Sequence, residues 1–207
     1  MLEAAACITY RAAVADDSNA IAAFICLAGH GLYEFLFDGL IPFVSAVDIL
    51  SAGVARENTP VSYRHCLVAV DAASGTLVGA ANVFPAALLR EESYRLLPPG
   101  RAQHVEAMVN LQDYASMFVN ALAVAGSHRG QGIGSRFLAW AEQRAREAGL
   151  DRVSLHVWAD NAAARRLYAR HGFVEIATAP VAEHPRLRHV GGSILMCKQL
   201  AAARPLA

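Results

Sequence analysis

The run Leu122-Ala-Val-Ala-Gly-Ser-His-Arg-Gly-Gln-Gly-Ile-Gly-Ser135 constrains this chain more than any other stretch. Met117 to Ala125 is apolar and reads as a strand, and helical spacing resumes directly after Gly134. Between them Arg129-Gly-Gln-Gly-Ile-Gly134 turns the chain with almost no side chain in the way. Glycines let a backbone take conformations closed to other residues and approach a bulky partner closely. The free N–H groups of a helix's first turn, aided by the helix dipole, form an anion site. Glycines alone would equally suit a connection that binds nothing.

The helix behind the turn is well specified. Ile133, Phe137, Trp140, Ala141, Ala145 and Ala148 share one stripe, while Arg136, Gln143, Arg146 and Glu147 face away. Glu142 and Arg146 are spaced for an i,i+4 pair, and Gly149-Leu150 is a C-terminal stop with its hydrophobic partner.

Elsewhere Ile8 to Val14 reads as an opening strand. Asp16-Asp17-Ser18 caps a helix that runs to about Leu27 and ends at Gly29. Gly31 to Gly53 holds a second helical pattern, broken at Pro42 and restarting near Ser45. His65–Asp71 and Thr76–Val83 form an antiparallel hairpin. From Ala86 to Gln112 helical spacing surrounds Leu88, Leu89 and Leu96, breaks at Pro98-Pro99-Gly100, and resumes after Arg101. Arg152–Trp158 is a strand, Asp160–His171 a helix, and Phe173–Thr178 and Ser193–Lys198 further strands. The tail from Ala201 to Ala207 is expected to fray. Hairpins first and a β-α-β unit later predict an α/β (α+β by some schemes) domain. Its central sheet is mixed, mostly antiparallel and flanked by helices.

Composition narrows the function classes. Of 207 residues 55% are hydrophobic and 17% charged, which suits one domain over 1–207 with a large core and excludes disorder. Eighteen basic residues balance eighteen acidic ones, so no basic surface for nucleic acid is expected. The longest uncharged apolar stretch, Ser18 to Tyr33, is too short for a bilayer, and Glu3 replaces the basic region of a secretory signal. Cys7, Cys26, Cys66 and Cys197 lack C-x-x-C spacing and read as small buried hydrophobes in a reducing, cytoplasmic setting. The eight histidines lack H-x-x-x-H or H-E-x-x-H spacing, so no metal site is expected; His65 and His156 read as core histidines. There is no Gly-Lys-Ser/Thr of a P-loop, and Gly130, Gly132 and Gly134 do not fit G-x-G-x-x-G.

Arg129-Gly-Gln-Gly-Ile-Gly134 does resemble the Q/R-x-x-G-x-G/A pattern of the acetyl-CoA site in the GNAT superfamily of N-acetyltransferases. Asn161-Ala-Ala-Ala-Arg-Arg-Leu-Tyr168, followed by His171-Gly-Phe173, is similar to that superfamily's second signature. The likeness is firm over about 117–176 and, over Ile8–Val83, rests on element order.

The resemblance implies a GNAT-like acyl-CoA N-acyltransferase fold and an acetyl-CoA-dependent N-acetyltransferase. Acetyl-CoA would be the co-substrate, and the acceptor an amine of a small molecule or peptide. Backbone groups of Leu122, Ala123 and Val124 would hold the pantetheine arm like an added strand. Arg129, Gly130, Gln131, Gly132, Ile133, Gly134 and Ser135 would surround the pyrophosphate. Asn161, Ala164 and Tyr168 would flank the other side, and Tyr168 would also donate to the departing thiolate. By helical spacing alone, Ala164, Leu167 and Tyr168 simply pack on one face. The acceptor would lie near Tyr33, Glu34 and Asn120. The segment from about 86 to 115 exceeds the hairpin expected there, and would cover the acceptor pocket or make a homodimer contact.

One departure stands out. Many family members carry a glutamate base on the strand equivalent to Met117–Ala125, but here Asn120 is its only amide or charged side chain. Glu34, Glu106 and Asp113 are then candidate bases acting through water. A missing strong base suits an α-amine, with a pKa near ~8, better than a lysine amine near ~10.4. Direct transfer in a ternary complex is expected, since Ser127 and Ser135 have no adjacent base. A non-catalytic acyl-CoA-binding module is the alternative.

Overall fold

Seven strands form one mixed sheet in a computed structural model that describes residues 7–90 and 97–201. They are β1 (Ile8–Ala12), β2 (Cys66–Asp71), β3 (Leu77–Pro85), β4 (Met117–Val124), β5 (Arg152–Trp158), β6 (Val174–Ala179) and β7 (Ser193–Gln199). Their spatial order is β1-β2-β3-β4-β5-β7-β6, with β4 and β5 parallel and every other neighbouring pair antiparallel. The helices are α1 (Ser18–Gly29), α2 (Leu32–Phe37), α3 (Ala46–Val54), α4 (Pro99–Asn110), α5 (Ile133–Glu147) and α6 (Ala162–Arg170). Among the described residues no helix is long and apolar enough to cross a membrane.

Helix α5 covers one face of the sheet. Phe137, Leu138, Ala141 and Ala145 are fully buried there against Val119, Val153 and Leu155, with Leu167 and Tyr168 of α6 packed alongside. On the opposite face Ile21, Ala22 and Ile25 of α1 and Leu50 and Val54 of α3 meet Val68, Ala80 and Ala121. A third cluster joins Phe35 and Leu36 of α2, Val105 of α4, Trp158 and Leu187 beyond the end of β5. Gly79 permits the tight join of α5 to the sheet, since a Cβ there would lie 3.2 Å from the Phe137 ring.

Several expectations need correction. Asp17 does not cap α1 with its side chain; its carboxylate takes Arg11 at 2.6 and 2.9 Å and the Val14 N–H at 2.9 Å. Salt-bridging outcompetes capping here, and holds Asp17 below the usual carboxylate range. The left-handed turn after α1 falls on His30 (φ 52°) and Gly31 (φ 101°), not on Gly29, which is helical. Pro99 does not break α4 but starts it, because the first helical position needs no N–H donor. Leu138 belongs to the buried stripe of α5, whereas Ala148 is exposed past its end. Cys26, Cys66 and Cys197 are buried, but Cys7 is exposed. Leu96 and residues 202–207 lie outside the described residues.

The C-terminal stop of α5 forms as expected. Leu150 N–H bonds Ala145 O at 2.8 Å and Gly149 N–H bonds Arg146 O at 3.0 Å, with Gly149 at φ 69°. Glu142 pairs with Arg146 at 3.6 Å but more closely with Lys198 of β7 at 2.5 Å, tying the helix to the sheet. A Cβ on Gly149 would meet nothing, so Gly149→Ala should cost only its left-handed strain, ~1 kcal/mol. That corresponds to a melting temperature lower by about 2–4 °C, readable by differential scanning calorimetry.

Candidate active site

The site begins with an irregularity in β4. Asn82 of β3 pairs with Ala121, but the next residue, Val83, pairs with Val119, so Asn120 is an extra residue. Val119 and Ala121 accordingly point to opposite faces of the sheet, which alternation alone forbids for residues two apart. Such a bulge bends its strand and sharpens its twist. On the other side, β4 pairs with β5 only at Met117↔Val153, Phe118↔Ser154 and Val119↔Leu155. From Asn120 onward the two strands part. Ala125 N–H bonds Val78 O at 2.8 Å, so by alternation the backbone groups of Leu122 and Val124 face away from β3, into the opening.

A cleft of about 450 Å³ occupies that opening. Leu122, Ala123 and Val124 line it from β4, Arg129, Gly130 and Gly132 from the turn, and Ile133, Gly134 and Ser135 from α5. Gly130 and Gly132 adopt left-handed φ values of 77° and 81°. The first intrahelical bond of α5 is donated by Arg136 to Gly132, which leaves the N–H groups of Ile133, Gly134 and Ser135 without helical acceptors. His128, Arg129 and Arg170 add basic side chains to the same wall. Free helix-terminal N–H groups and basic side chains on one wall are the features that suit a polyanion.

Four of the expected residues, Gln131, Asn161, Ala164 and Tyr168, are not in the lining of this cleft. Gln131 is exposed and does not line the cleft. Asn161 caps α6, its Oδ1 accepting from Ala164 N–H at 3.1 Å. Ala164 and Tyr168 pack against the α5-side core, with the Tyr168 ring tilted on Phe173 at 5.9 Å. Burial pushes the Tyr168 phenol up to about 12.

Across β4 a second chamber of about 470 Å³ opens. It adjoins the first cleft at Ala28 of α1, which lines both. Tyr33 and Asn120 line it together: Tyr33 O–H donates to Asn120 Oδ1 at 3.4 Å, and Asn120 Nδ2 donates to Asn82 Oδ1 at 2.9 Å. Asn82 is fully buried and held by Pro60 O at 3.2 Å, so this amide ladder fixes the bulge. Glu34 lines neither cavity. One of its carboxylate oxygens is buried without a partner; burial chiefly, and then the charges of Glu34 and Asp38, raise the Cys26 thiol. Glu106 is exposed on α4, and Asp113 pairs with Arg152 at 3.0 Å; neither lines the chamber.

Other chamber residues were not singled out as site residues in the sequence. His156 reads there as a core histidine, yet it stands on the chamber wall with Ser193 and Gln112. Its Nε2 lies 2.8 Å from Leu111 O and its Nδ1 2.9 Å from Ser193 Oγ. Burial lowers its pKa below the ordinary histidine value. The usable signal was alternation on β5, which puts Ser154, His156 and Trp158 on one face. Leu89, Val105 and Met108 bring the 86–115 segment into the chamber wall. His30 lines the first cleft from the turn after α1. Among the described residues no group of three or more His, Cys, Asp or Glu converges on a metal-sized site.

A split parallel pair, a glycine turn at a helix N-terminus and a chamber across the split strand define an acyl-CoA transferase architecture. Residues 47–173 match the family model described as Acetyltransferase (GNAT) family, and the chain belongs to that family. Over 48 residues it is 46% identical to the uncharacterized N-acetyltransferase YycN of Bacillus subtilis (strain 168), covering 23% of this chain and 31% of that one. Over 55 residues it is 42% identical to the aminoalkylphosphonate N-acetyltransferase of Salmonella typhimurium (strain LT2), covering 27% and 36%. The chain thus spans about a third of the length of these curated relatives. Among solved structures, an N-acetyltransferase from Staphylococcus aureus Mu50 superposes with a TM-score of 0.66 at 18% identity, over 91% of this chain and 99% of that one. A crystal structure described as an acetyltransferase gives 0.67 at 23%, over 93% and 100%. At these identities the likeness is one of fold.

Proposed function

We propose that this chain is an acetyl-CoA-dependent N-acetyltransferase that passes the acetyl group directly to an amine. The observation that carries this reading is a pair of cavities that adjoin at Ala28, one along the split edge of β4 and the other lined by its bulged residue, Asn120. A thiol-bearing arm laid along Leu122 and Val124 would bring its acyl end to the point where β4 and β5 part. An amine in the second chamber reaches the same point from the other face. Holding both there can itself supply ~7–11 kcal/mol of the barrier.

In this reading the residues of positions 129–135 that line the cleft bind the diphosphate, while Leu122 and Val124 pair with the arm by strand addition. Tyr168 donates a hydrogen bond to the leaving sulfur. Gln112 Oε1 is buried without a partner, an unmet acceptor costing about 1–3 kcal/mol that an amine N–H would satisfy. Leu89, Val105 and Met108 of the 86–115 segment form part of the acceptor wall of the same single domain. The buried free cysteines fit a reducing, cytoplasmic setting.

No carboxylate lines the chamber among the described residues, and Arg56 does. The acceptor is therefore an amine with an apolar body that enters uncharged. At pH 7 an α-amine with pKa near 8 is neutral about two hundred times more often than a lysine amine near 10.4. Thiol release from acetyl-CoA should accordingly be faster with L-phenylalaninamide than with Nα-acetyl-lysinamide at pH 7, and the gap should narrow by pH 9. Equal or better use of the lysine amine would overturn that selectivity. Tight acetyl-CoA binding by calorimetry, with no turnover across an amine panel, would overturn the transferase reading in favour of a binding module.

A further inference from the structure

We propose that His156, with the Ser193 hydroxyl as its relay, accepts the proton given up by the attacking amine. The role rests on the transferase reading above. It starts from register. Val119 and Leu155 are the last partners before β4 and β5 part, so Asn120 and His156 are the first residues beyond the apex of the split. Both line the chamber, and neither is covered by the other strand's ladder.

The hydrogen bonds settle which nitrogen is available. A backbone carbonyl can only accept, so Nε2, 2.8 Å from Leu111 O, carries the proton. Nδ1 then presents its lone pair to Ser193 Oγ at 2.9 Å, and Ser193 is the donor. Ser193 itself lines the chamber. The Phe118 ring stands edge-on to the imidazole at 6.1 Å, and Trp158 and Gln112 line the same chamber. The charged and titratable side chains lining the same chamber are Arg56 and Tyr33. Burial outweighs the Leu111 carbonyl, which favours the imidazolium, and keeps His156 neutral near pH 7.

The step balances within the pair. The neutral amine nitrogen bonds to the thioester carbonyl carbon, and the C–S bond breaks to release a thiolate. The nitrogen's surplus proton passes to Ser193 Oγ as the Ser193 proton moves to His156 Nδ1. The imidazolium so formed returns its proton to solvent or to the thiolate, restoring both residues. A histidine serving only the core would have no part in this.

The test uses the full chain with acetyl-CoA and L-phenylalaninamide. His156→Gln should lower kcat at pH 7 at least tenfold and leave the dissociation constant for acetyl-CoA unchanged by calorimetry. Wild-type kcat should fall on the acid side, below the ordinary histidine range, where His156 protonates, and the variant should lose that limb. Ser193→Ala, a smaller change, should also lower kcat and decides the matter if His156→Gln fails to fold. Wild-type kcat and an intact acid limb in a folded His156→Gln or Ser193→Ala protein would overturn the proposal alone. A wild type that binds acetyl-CoA yet turns over no amine would overturn the transferase reading together with it.

Discussion

Gly132→Val is expected to raise the dissociation constant for acetyl-CoA at least a hundredfold and to leave the fold intact. Gly132 is the N-cap of α5 and sits at φ 81°, a region costing a β-branched residue about 1–3 kcal/mol. No atom lies within 4 Å of the Cβ position, so the substitution meets no core residue. The chain can relieve its strain only by rotating the peptides of the turn, which swings the N–H groups of Ile133 and Gly134 off their common focus. In the proposed function each such donor would hold a charged oxygen, and hydrogen bonds to charged groups are worth ~1.5–3 kcal/mol. Two of them account for a hundredfold, since each tenfold is about 1.4 kcal/mol. Gly134→Ala is the control. Its φ is not left-handed, and its Cβ would meet only the flexible ends of Leu167 and Leu122 at 3.6 and 3.7 Å. Calorimetric titration with acetyl-CoA should therefore separate the two variants, and thermal melts should not. Unchanged affinity in Gly132→Val would remove the diphosphate from this turn.

Local patterning made much of this molecule legible in the sequence. The strand Arg152–Trp158, the hairpin of β2 and β3 and the Gly149 stop of α5 follow from alternation, turn residues and capping chemistry. Even the anion turn could be placed, because glycine spacing and the onset of helical periodicity coincide at Gly132–Gly134. What could not be read were choices made between distant residues. Asp17 looks like a cap until Arg11 of the neighbouring strand claims its carboxylate. The bulge at Asn120 depends on a mismatch with Asn82, 38 positions away, and no local pattern announces it. His156 looks like any strand histidine until β4 parts from β5 beside it and a chamber forms there. The same bulge flips Ala121 to the α1 face, so one long-range pairing decides both the core and the site.

Tyr168→Phe is expected to lower kcat about a hundredfold with little change in stability or in acetyl-CoA affinity, the range one hydrogen-bond donor to developing charge supplies. The phenol's burial against the α5-side core explains why it is held near 12. That value also limits its part in the reaction. A thiol near ~8.5 is some three to four units more acidic, so full proton transfer from this phenol would run uphill by roughly 5 kcal/mol. Donation of a hydrogen bond to the developing thiolate has no such cost. Being raised, the group stays protonated up to about pH 12, so its contribution should be flat across the working range. The pH profile of kcat in Tyr168→Phe should therefore be the wild-type profile scaled down, with the acid limb in place. Removing only the hydroxyl preserves the ring's contact with Phe173, so the melting temperature should hold. A purely structural tyrosine predicts unchanged kcat for the same substitution. Single-turnover acetyl transfer at several pH values distinguishes the two: a uniform drop places the phenol at the sulfur, and no drop returns Tyr168 to the core.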